Sequence, residues 1–532
     1  MPLALSGGQL TVDDIGQVAE QGRPVAADGA ARARVARAFD TVLAAARAHM
    51  PVYGLTTGVG WNKDRPALGP DTELDPELLA ASRRFNIGTL HAHAAAVGDP
   101  LPDPVVRAAM VVRLNLLLTG TSGAQPAVVD QYVAFLNCGI TPIVPERGSI
   151  GEADILQSSH IGLAIAGEWQ VRFKGRTVPT GEALKACGLR PVTLVGKDFL
   201  AILGDNSLAV GQAALVLRQV RAWLDREIEV AALSLEGLDG NIAPILEPVV
   251  AAHPLPGYIA VAQRQRAALA GSDLWRVSEH RPLQDPLSFR TLPLVLGNAW
   301  DALAAAIAAT EFEAAHSDDN PSVFLEARLP DAPDSQAGRY RVASVPGAAI
   351  VPTANFESIA FTQAIERLSL ALGHASASIA KTVLRFENPE ITRLPRFLIA
   401  PGNPGHGFGS IQKSVAALDA EIRSLATPVS LESATLSGNI EDVTSNGPLA
   451  IRRLGLLLDQ LYPLASLQLM HAAQAADLRP GYRLGTQTRT LHDGYRTRVA
   501  FLDKDRILTP DIAAGSQYLR EVSAASLGAG HE

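Results

Sequence analysis

Two carboxylates, Glu152 and Asp154, stand in a glycine-flanked turn within RGSIGEADILQSSHIGLAIAGEW (residues 147–169), just ahead of a strongly apolar run. Acidic residues suit helix entry, where unpaired N–H groups and the positive end of the dipole favour an anion. They equally suit presentation of a carboxylate to a ligand. Tyr53 lies in VYGLTTGVG, whose three glycines permit positive φ and close approach by a ligand. A tyrosine there can act as a base if a cation lowers its pKa, or it can simply pack on a domain surface. Arg290, in DPLSFRTLPLV, is set among apolar residues, so its guanidinium needs a carboxylate partner, internal or on a substrate. Lys413, in GFGSIQKSVAALDAE, begins an apolar helical pattern after a glycine loop, and Glu441 lies in the turn-rich SGNIEDVTSNG. A buried lysine with a nearby glutamate is an acid–base device; a surface lysine and a capping glutamate are the structural alternative. His91 and His93 form an H-x-H pair of the kind zinc hydrolases use. The pair enters an alanine run with no second ligand cluster, so no metal is expected.

The elements that must position these groups are helices. Leu217, Val220, Leu224 and Ile228 recur at helical spacing, as do Ile365, Leu368 and Leu372, with charges between them. Aromatics are 5% and alanine is abundant, which favours closely packed helices over sandwiches. WQVRFKGRTV and GRYRVASV are the strand-like pieces. The expected fold is mainly α: a smaller N-terminal mixed-helical domain over residues 1–200, then a bundle of long helices over 201–532. With 54 acidic against 46 basic residues, a net charge of −8 argues against a nucleic-acid binder. Cys138 and Cys187, the only cysteines, exclude a disulfide scaffold or a Cys-rich zinc site. No signal-like N-terminus is seen and no apolar run reaches the length of a membrane span, so a cytoplasmic protein without a membrane partner is expected.

Taken in order, these stretches resemble the aromatic amino acid ammonia-lyases, histidine ammonia-lyase included. YGLTTGVG looks like that family's tyrosine-bearing inner loop, and HAHAAAVGDPLP like its early histidine segment, with His93 at the matching position. RLNLLLTGTSG, LNCGITPIVPERGSIG, SFRTLPLV, SDDNPSVF, NFES, GNIEDVTSNG and AAQAADLRP each have a counterpart. The resemblance implies the long-helix bundle shared with the fumarase–aspartase type. It also implies a homotetramer with active sites shared between subunits, and a small-molecule substrate.

The resemblance breaks at the opening turn. Family members carry Ala-Ser-Gly there, which cyclises into an electrophilic methylidene-imidazolone (MIO). Here GSIG is followed by Glu152-Ala153-Asp154; Asp154 matches the aspartate after the triad, and one residue is missing. No serine can lose water and no glycine amide can attack, so no MIO and no other cofactor is expected. Gly204, Leu287 and Leu294 also depart from the family pattern, while Tyr53, Arg290 and Glu441 remain.

Within the family, an MIO-free branch eliminates trimethylamine from ergothioneine, the betaine of 2-thiolhistidine, giving thiolurocanate. The resemblance therefore implies a betaine or aromatic amino acid derivative as substrate. Tyr53 would be base or proton relay, Arg290 the clamp on the substrate carboxylate, and Lys413, buried and paired with Glu441, the contact to the thioimidazole ring. His93, Asn206, Glu152 and Asn355 are the further substrate-binding candidates. Either Glu152 or Asp154 would lie near the trimethylammonium, Asp154 alternatively capping a helix. Another MIO-free elimination, cyclisation or isomerisation of an aromatic acid, and a silent binding homologue, are the competing readings.

Overall fold

The apolar positions read at helical spacing form one long helix, Ser207–Leu238, in which Leu217, Val220, Leu224 and Ile228 are all buried. Ile365, Leu368 and Leu372 are likewise buried on Ile359–Phe386. The computed structural model describes residues 1–67, 76–330 and 335–528. It is mainly helical, with short two- and three-stranded sheets, as the sequence pattern requires.

The chain divides into two compact units. The first comprises residues 1–215, 307–363 and 429–451. Its core is the helix Asp103–Leu117, where every residue from Ala108 to Leu117 is buried. Burying each large apolar side chain there contributes roughly 1.5–3 kcal/mol. Val12–Gln21 starts at Thr11, whose hydroxyl accepts the Asp14 N–H, and ends at left-handed Gly22. WQVRFKGRTV is strand-like as expected, and the structure pairs it as a hairpin, Gln170–Phe173 against Arg176–Pro179. GRYRVASV does not form the expected strand: Gly338–Tyr340 is a single 3-10 turn, and the nearby ladder pairs Ser322–Phe324 with Ala349–Val351. Alternating residue types over so short a stretch cannot specify a ladder partner.

The second unit comprises residues 216–306, 364–428 and 452–532 and is built of packed helices. Small residues set their spacing. A Cβ on Gly237 would sit 2.8 Å from the Ala472 carbonyl oxygen, so Ser207–Leu238 approaches Gly447–Asp477 backbone to backbone. Glu227 is wholly buried in this unit and meets Gln468; burial pushes its carboxyl well above the usual range.

Among the described residues, two helices reach the length and hydropathy of a membrane span, contrary to expectation: Asp198–Leu238 and Leu292–Glu313. In the first, 83% of the most apolar window is buried inside the protein, as in a core helix.

Candidate active site

The Tyr53 loop is held by its own hydrogen bonds. The Thr56 hydroxyl donates to the Met50 carbonyl and accepts the Val52 N–H, at 2.5 and 2.8 Å. Gly54 takes φ 67°, and a Cβ there would come 2.5 Å from Leu200. The Gly60 N–H donates to the Tyr53 hydroxyl oxygen at 2.9 Å. Burial raises the Tyr53 pKa; the Gly60 bond opposes this, and the charge of Glu441 adds to it. In the free protein Tyr53 is therefore a phenol.

The turn bearing Glu152 is fastened from several distant segments. Gly151, at φ 90°, offers its carbonyl to the hydroxyls of Ser358 and Ser445, each at 3.0 Å. The Asn446 N–H donates to the Ile150 carbonyl at 2.8 Å. Asn206 holds the far side: its Oδ1 accepts the Ala153 N–H at 3.1 Å and its Nδ2 donates to the Phe356 carbonyl at 2.8 Å. Behind Asn206 lies buried Arg113, paired with Asp318 at 3.1 Å and Asp319 at 2.8 Å.

Glu152 and Asp154 face opposite ways. Asp154 is fully buried, and its Oδ2 accepts the N–H groups of Leu208 and Ala209 at 3.0 Å each, in the first turn of Ser207–Leu238. It caps that helix, not the one it precedes in sequence, Ile155–Ile165, to which its side chain makes no cap bond. Burial, with Asp205 close by, pushes its carboxyl up to about 7. Glu152 is half-buried and lines a cavity of about 620 Å³. Its carboxyl meets the Glu357 carboxyl and the Ser445 N–H, and one oxygen is buried without a protein partner. Burial, then repulsion from Glu357, pushes it up to about 7.

Tyr53, Glu152, Ala153, Tyr340, Phe356 and Glu441 all line this cavity. Acidic and aromatic side chains thus line one cavity, a combination that suits an organic cation. Lys63 and Arg339 add positive charge, Lys63 already paired with Asp64.

Three of the sequence candidates, Tyr53, Glu152 and Glu441, are brought together here. Asn206 stands behind the cavity wall with both ends of its amide engaged. His93 ends Pro76–His93 and donates its Nδ1–H to the Thr89 carbonyl at 2.8 Å, while His91 pairs with Glu168. Asn355 is exposed beside the cavity-lining Phe356. Arg290 and Lys413 belong to the second unit. Arg290 ends Leu287–Arg290, partly exposed, and its guanidinium has no hydrogen-bond or ion-pair partner among the described residues. Lys413 is exposed, not buried as the sequence suggested. Gln412–Leu425 buries Val415 and Ile422, and at about 100° per residue Lys413 lies on the opposite face from both. Glu357 escaped the sequence reading, although it stands in the same NFES quartet that drew attention to Asn355.

The turn does not fit an MIO group. No Ala-Ser-Gly triad occurs anywhere in the chain. The amides of Ala153 and Asp154 are committed, to Asn206 and to the Asp205 carbonyl at 2.6 Å, and the side chain aimed at the cavity is a carboxyl.

Comparison with known proteins supplies the context. The aromatic amino acid lyase model matches residues 10–497. A histidine ammonia-lyase of Koribacter versatilis is 32% identical over 525 residues, covering 97% of this chain and 98% of that protein. The ergothioneine-degrading ergothionase of Treponema denticola, solved in complex with desmethyl-ergothioneine sulfonic acid, matches with TM-score 0.90 and 34% identity. That match covers 98% of this chain and 99% of the other. Tyrosine aminomutase of Streptomyces globisporus matches with TM-score 0.87 and 26% identity, over 99% and 98% of the two chains.

Proposed function

The chain belongs to the aromatic amino acid lyase family, and from that premise we propose that it is an MIO-independent carbon–nitrogen lyase that eliminates trimethylamine from ergothioneine, giving thiolurocanate. The observation that carries this reading is the shortened turn, in which Glu152 faces the cavity where the family's triad would stand. An electrophile serves to make ammonia a leaving group. A quaternary nitrogen departs as a neutral tertiary amine and needs none. The 34% identity to ergothionase supports the same substrate class, and the missing triad weighs against the histidine ammonia-lyase activity of the other relatives.

In this proposal Glu152, once ionised, faces the trimethylammonium, with Tyr340 and Phe356 in the same cavity. The bound cation offsets the burial and the Glu441 charge that keep Tyr53 a phenol. Tyr53, as phenolate, takes the proton from Cβ, the electron pair forms the Cα–Cβ double bond, and the C–N bond breaks to release trimethylamine with its lone pair. Glu441 accepts a ring N–H, which helps acidify Cβ–H. Arg290 clamps the substrate carboxylate and Lys413 hydrogen-bonds the sulfur. Both lie ready for new partners and are proposed to act in a cytoplasmic homotetramer whose subunits share active sites. A panel of betaines and primary amino acids assayed for amine release tests the reading. Ergothioneine should release trimethylamine with a conjugated product in the near ultraviolet, while histidine, phenylalanine and tyrosine should be poor substrates. Histidine turnover at a comparable rate would overturn the quaternary-nitrogen argument.

A further inference from the structure

Trp61 follows Gly60, whose N–H holds the Tyr53 hydroxyl at 2.9 Å, in the single 3-10 turn Gly60–Asn62. Its indole is 77% exposed, but one face lies against the turn that carries Glu441. A Cβ built on Gly438 would stand 2.6, 2.9 and 3.0 Å from Cδ2, Cε2 and Cε3 of Trp61. Three ring atoms at nearly equal range mean that Gly438 meets the ring broadside, where no side chain fits. The turn is tightly wound: Ser437, Gly438 and Asn439 take φ 49°, 65° and 69° in succession. L residues adopt that left-handed conformation rarely, and it lasts where the surroundings hold it. The Leu436 N–H donates to the Glu441 carbonyl at 2.7 Å, and the Asn439 N–H to the Leu436 carbonyl at 3.0 Å. Asn446 ties the base, its Nδ2 donating to the Glu432 carbonyl at 2.8 Å. A Cβ on Gly60 would lie 3.9 Å from both Glu441 Oε1 and Ser437 Oγ, so the residue that holds the Tyr53 hydroxyl also abuts the Glu441 turn.

We propose that Trp61 is a positioning residue: seated on Gly438, its indole docks the Glu441 turn on the Tyr53 loop and so sets the gap between the phenolic oxygen and the Glu441 carboxylate. On the lyase reading above, on which this role rests, Tyr53 takes the Cβ proton while Glu441 accepts the ring N–H. Both must address one substrate at once, yet they are 388 positions apart in sequence and neither stands on a helix. Packing between the two loops therefore fixes their relation. Trp61 itself does not line the cavity, whereas Gly60 and Glu441 do, so it acts through its neighbours. A misplacement of about 1 Å between such groups costs up to about 100-fold in rate.

The test compares Trp61→Ala, Trp61→Phe and Gly438→Ala in the full-length protein, by amide hydrogen exchange and by ergothioneine kinetics. In Trp61→Ala the amides of Leu436 and Asn439 should exchange roughly tenfold faster, with those of Ser207–Leu238 unchanged. The kcat should fall roughly 10–100-fold while KM changes little. Trp61→Phe, which keeps a ring on Gly438, should recover most of kcat. Gly438→Ala should also lower kcat, and lower it less in a protein that already carries Trp61→Ala, because the methyl group then has room. Unchanged exchange at Leu436 and Asn439 in Trp61→Ala would overturn the docking. Trp61→Phe as impaired as Trp61→Ala, effects of Trp61→Ala and Gly438→Ala that simply add, or a raised KM with kcat intact would overturn the positioning role. Should the unsubstituted protein leave ergothioneine intact, the lyase reading fails by itself, and the exchange rates still decide whether Trp61 docks the turn.

Discussion

Glu152→Gln isolates the charge that the proposed reading places against the substrate cation. Methyl groups keep a quaternary nitrogen about 4.5 Å from a carboxylate oxygen, and an effective dielectric constant of about 20 then gives roughly 3.7 kcal/mol of attraction. Glu152 is only half-buried, so solvent screening cuts this to about 1.5–2 kcal/mol, or roughly 10–30-fold in affinity. The carboxyl is pushed up to about 7 by burial and by Glu357. Because its pKa is raised, the anion is scarce below neutrality: about a tenth is ionised at about pH 6 and about nine-tenths at about pH 8. Cation binding should therefore tighten as pH rises across that window, by up to about tenfold. The probes are the inhibition constant of tetramethylammonium and kcat/KM for ergothioneine, each measured across pH in both proteins. Glu152→Gln should resemble the unsubstituted protein at low pH, with a flat profile through neutrality, while inhibition by neutral tert-butanol stays unchanged. Unchanged tetramethylammonium inhibition and an unchanged pH profile in Glu152→Gln would refute the assignment of Glu152 to the cation.

Four further outcomes are expected. Peptide mass spectra across residues 148–154 should match the unmodified sequence; a dehydrated, cyclised peptide there would sink the MIO-free reading. Asp154→Ala strips the acceptor from the Leu208 and Ala209 N–H groups and should cost about 1–3 kcal/mol in urea unfolding; an unchanged midpoint would show that the cap does not matter. Glu227 has a folded-state pKa well above its unfolded value near 4, so the stability it permits is present in acid and lost as pH rises. Glu227→Gln should thus raise the melting temperature at neutral pH and little in acid, and equal shifts at both would contradict the buried-carboxyl account. Finally, Lys413→Met and Glu441→Gln should each abolish ergothioneine turnover, with the double variant little worse than either, as kinetics of the three variants would reveal. A Lys413→Met protein with near-normal kcat would make Lys413 a solvated surface residue.

What the sequence determined by itself was whatever neighbouring residues encode. The 3.6-residue spacing of Leu217, Val220, Leu224 and Ile228 specified a helix with one buried face, because residues three and four apart share a face whatever surrounds them. The absence of a cyclisable triad was equally local, since that chemistry depends on three consecutive residues. The jobs of Glu152 and Asp154 were not legible. Both are acids two residues apart, and either could have capped a helix. The choice was made by groups remote in sequence: Ser358, Ser445 and Asn206 turn the Gly151–Ala153 backbone, and Leu208 and Ala209 present N–H groups to Asp154 alone. Glu357 reaches Glu152 from 205 positions away, so the carboxyl pair has no signature along the chain. The exposure of Lys413 likewise followed from which face of Gln412–Leu425 the second unit covers. A local pattern fixes an element and the sides it has. Which side meets a cavity, a helix end or solvent is decided by hydrogen bonds and packing between segments hundreds of residues apart, and these exist only once the chain has folded.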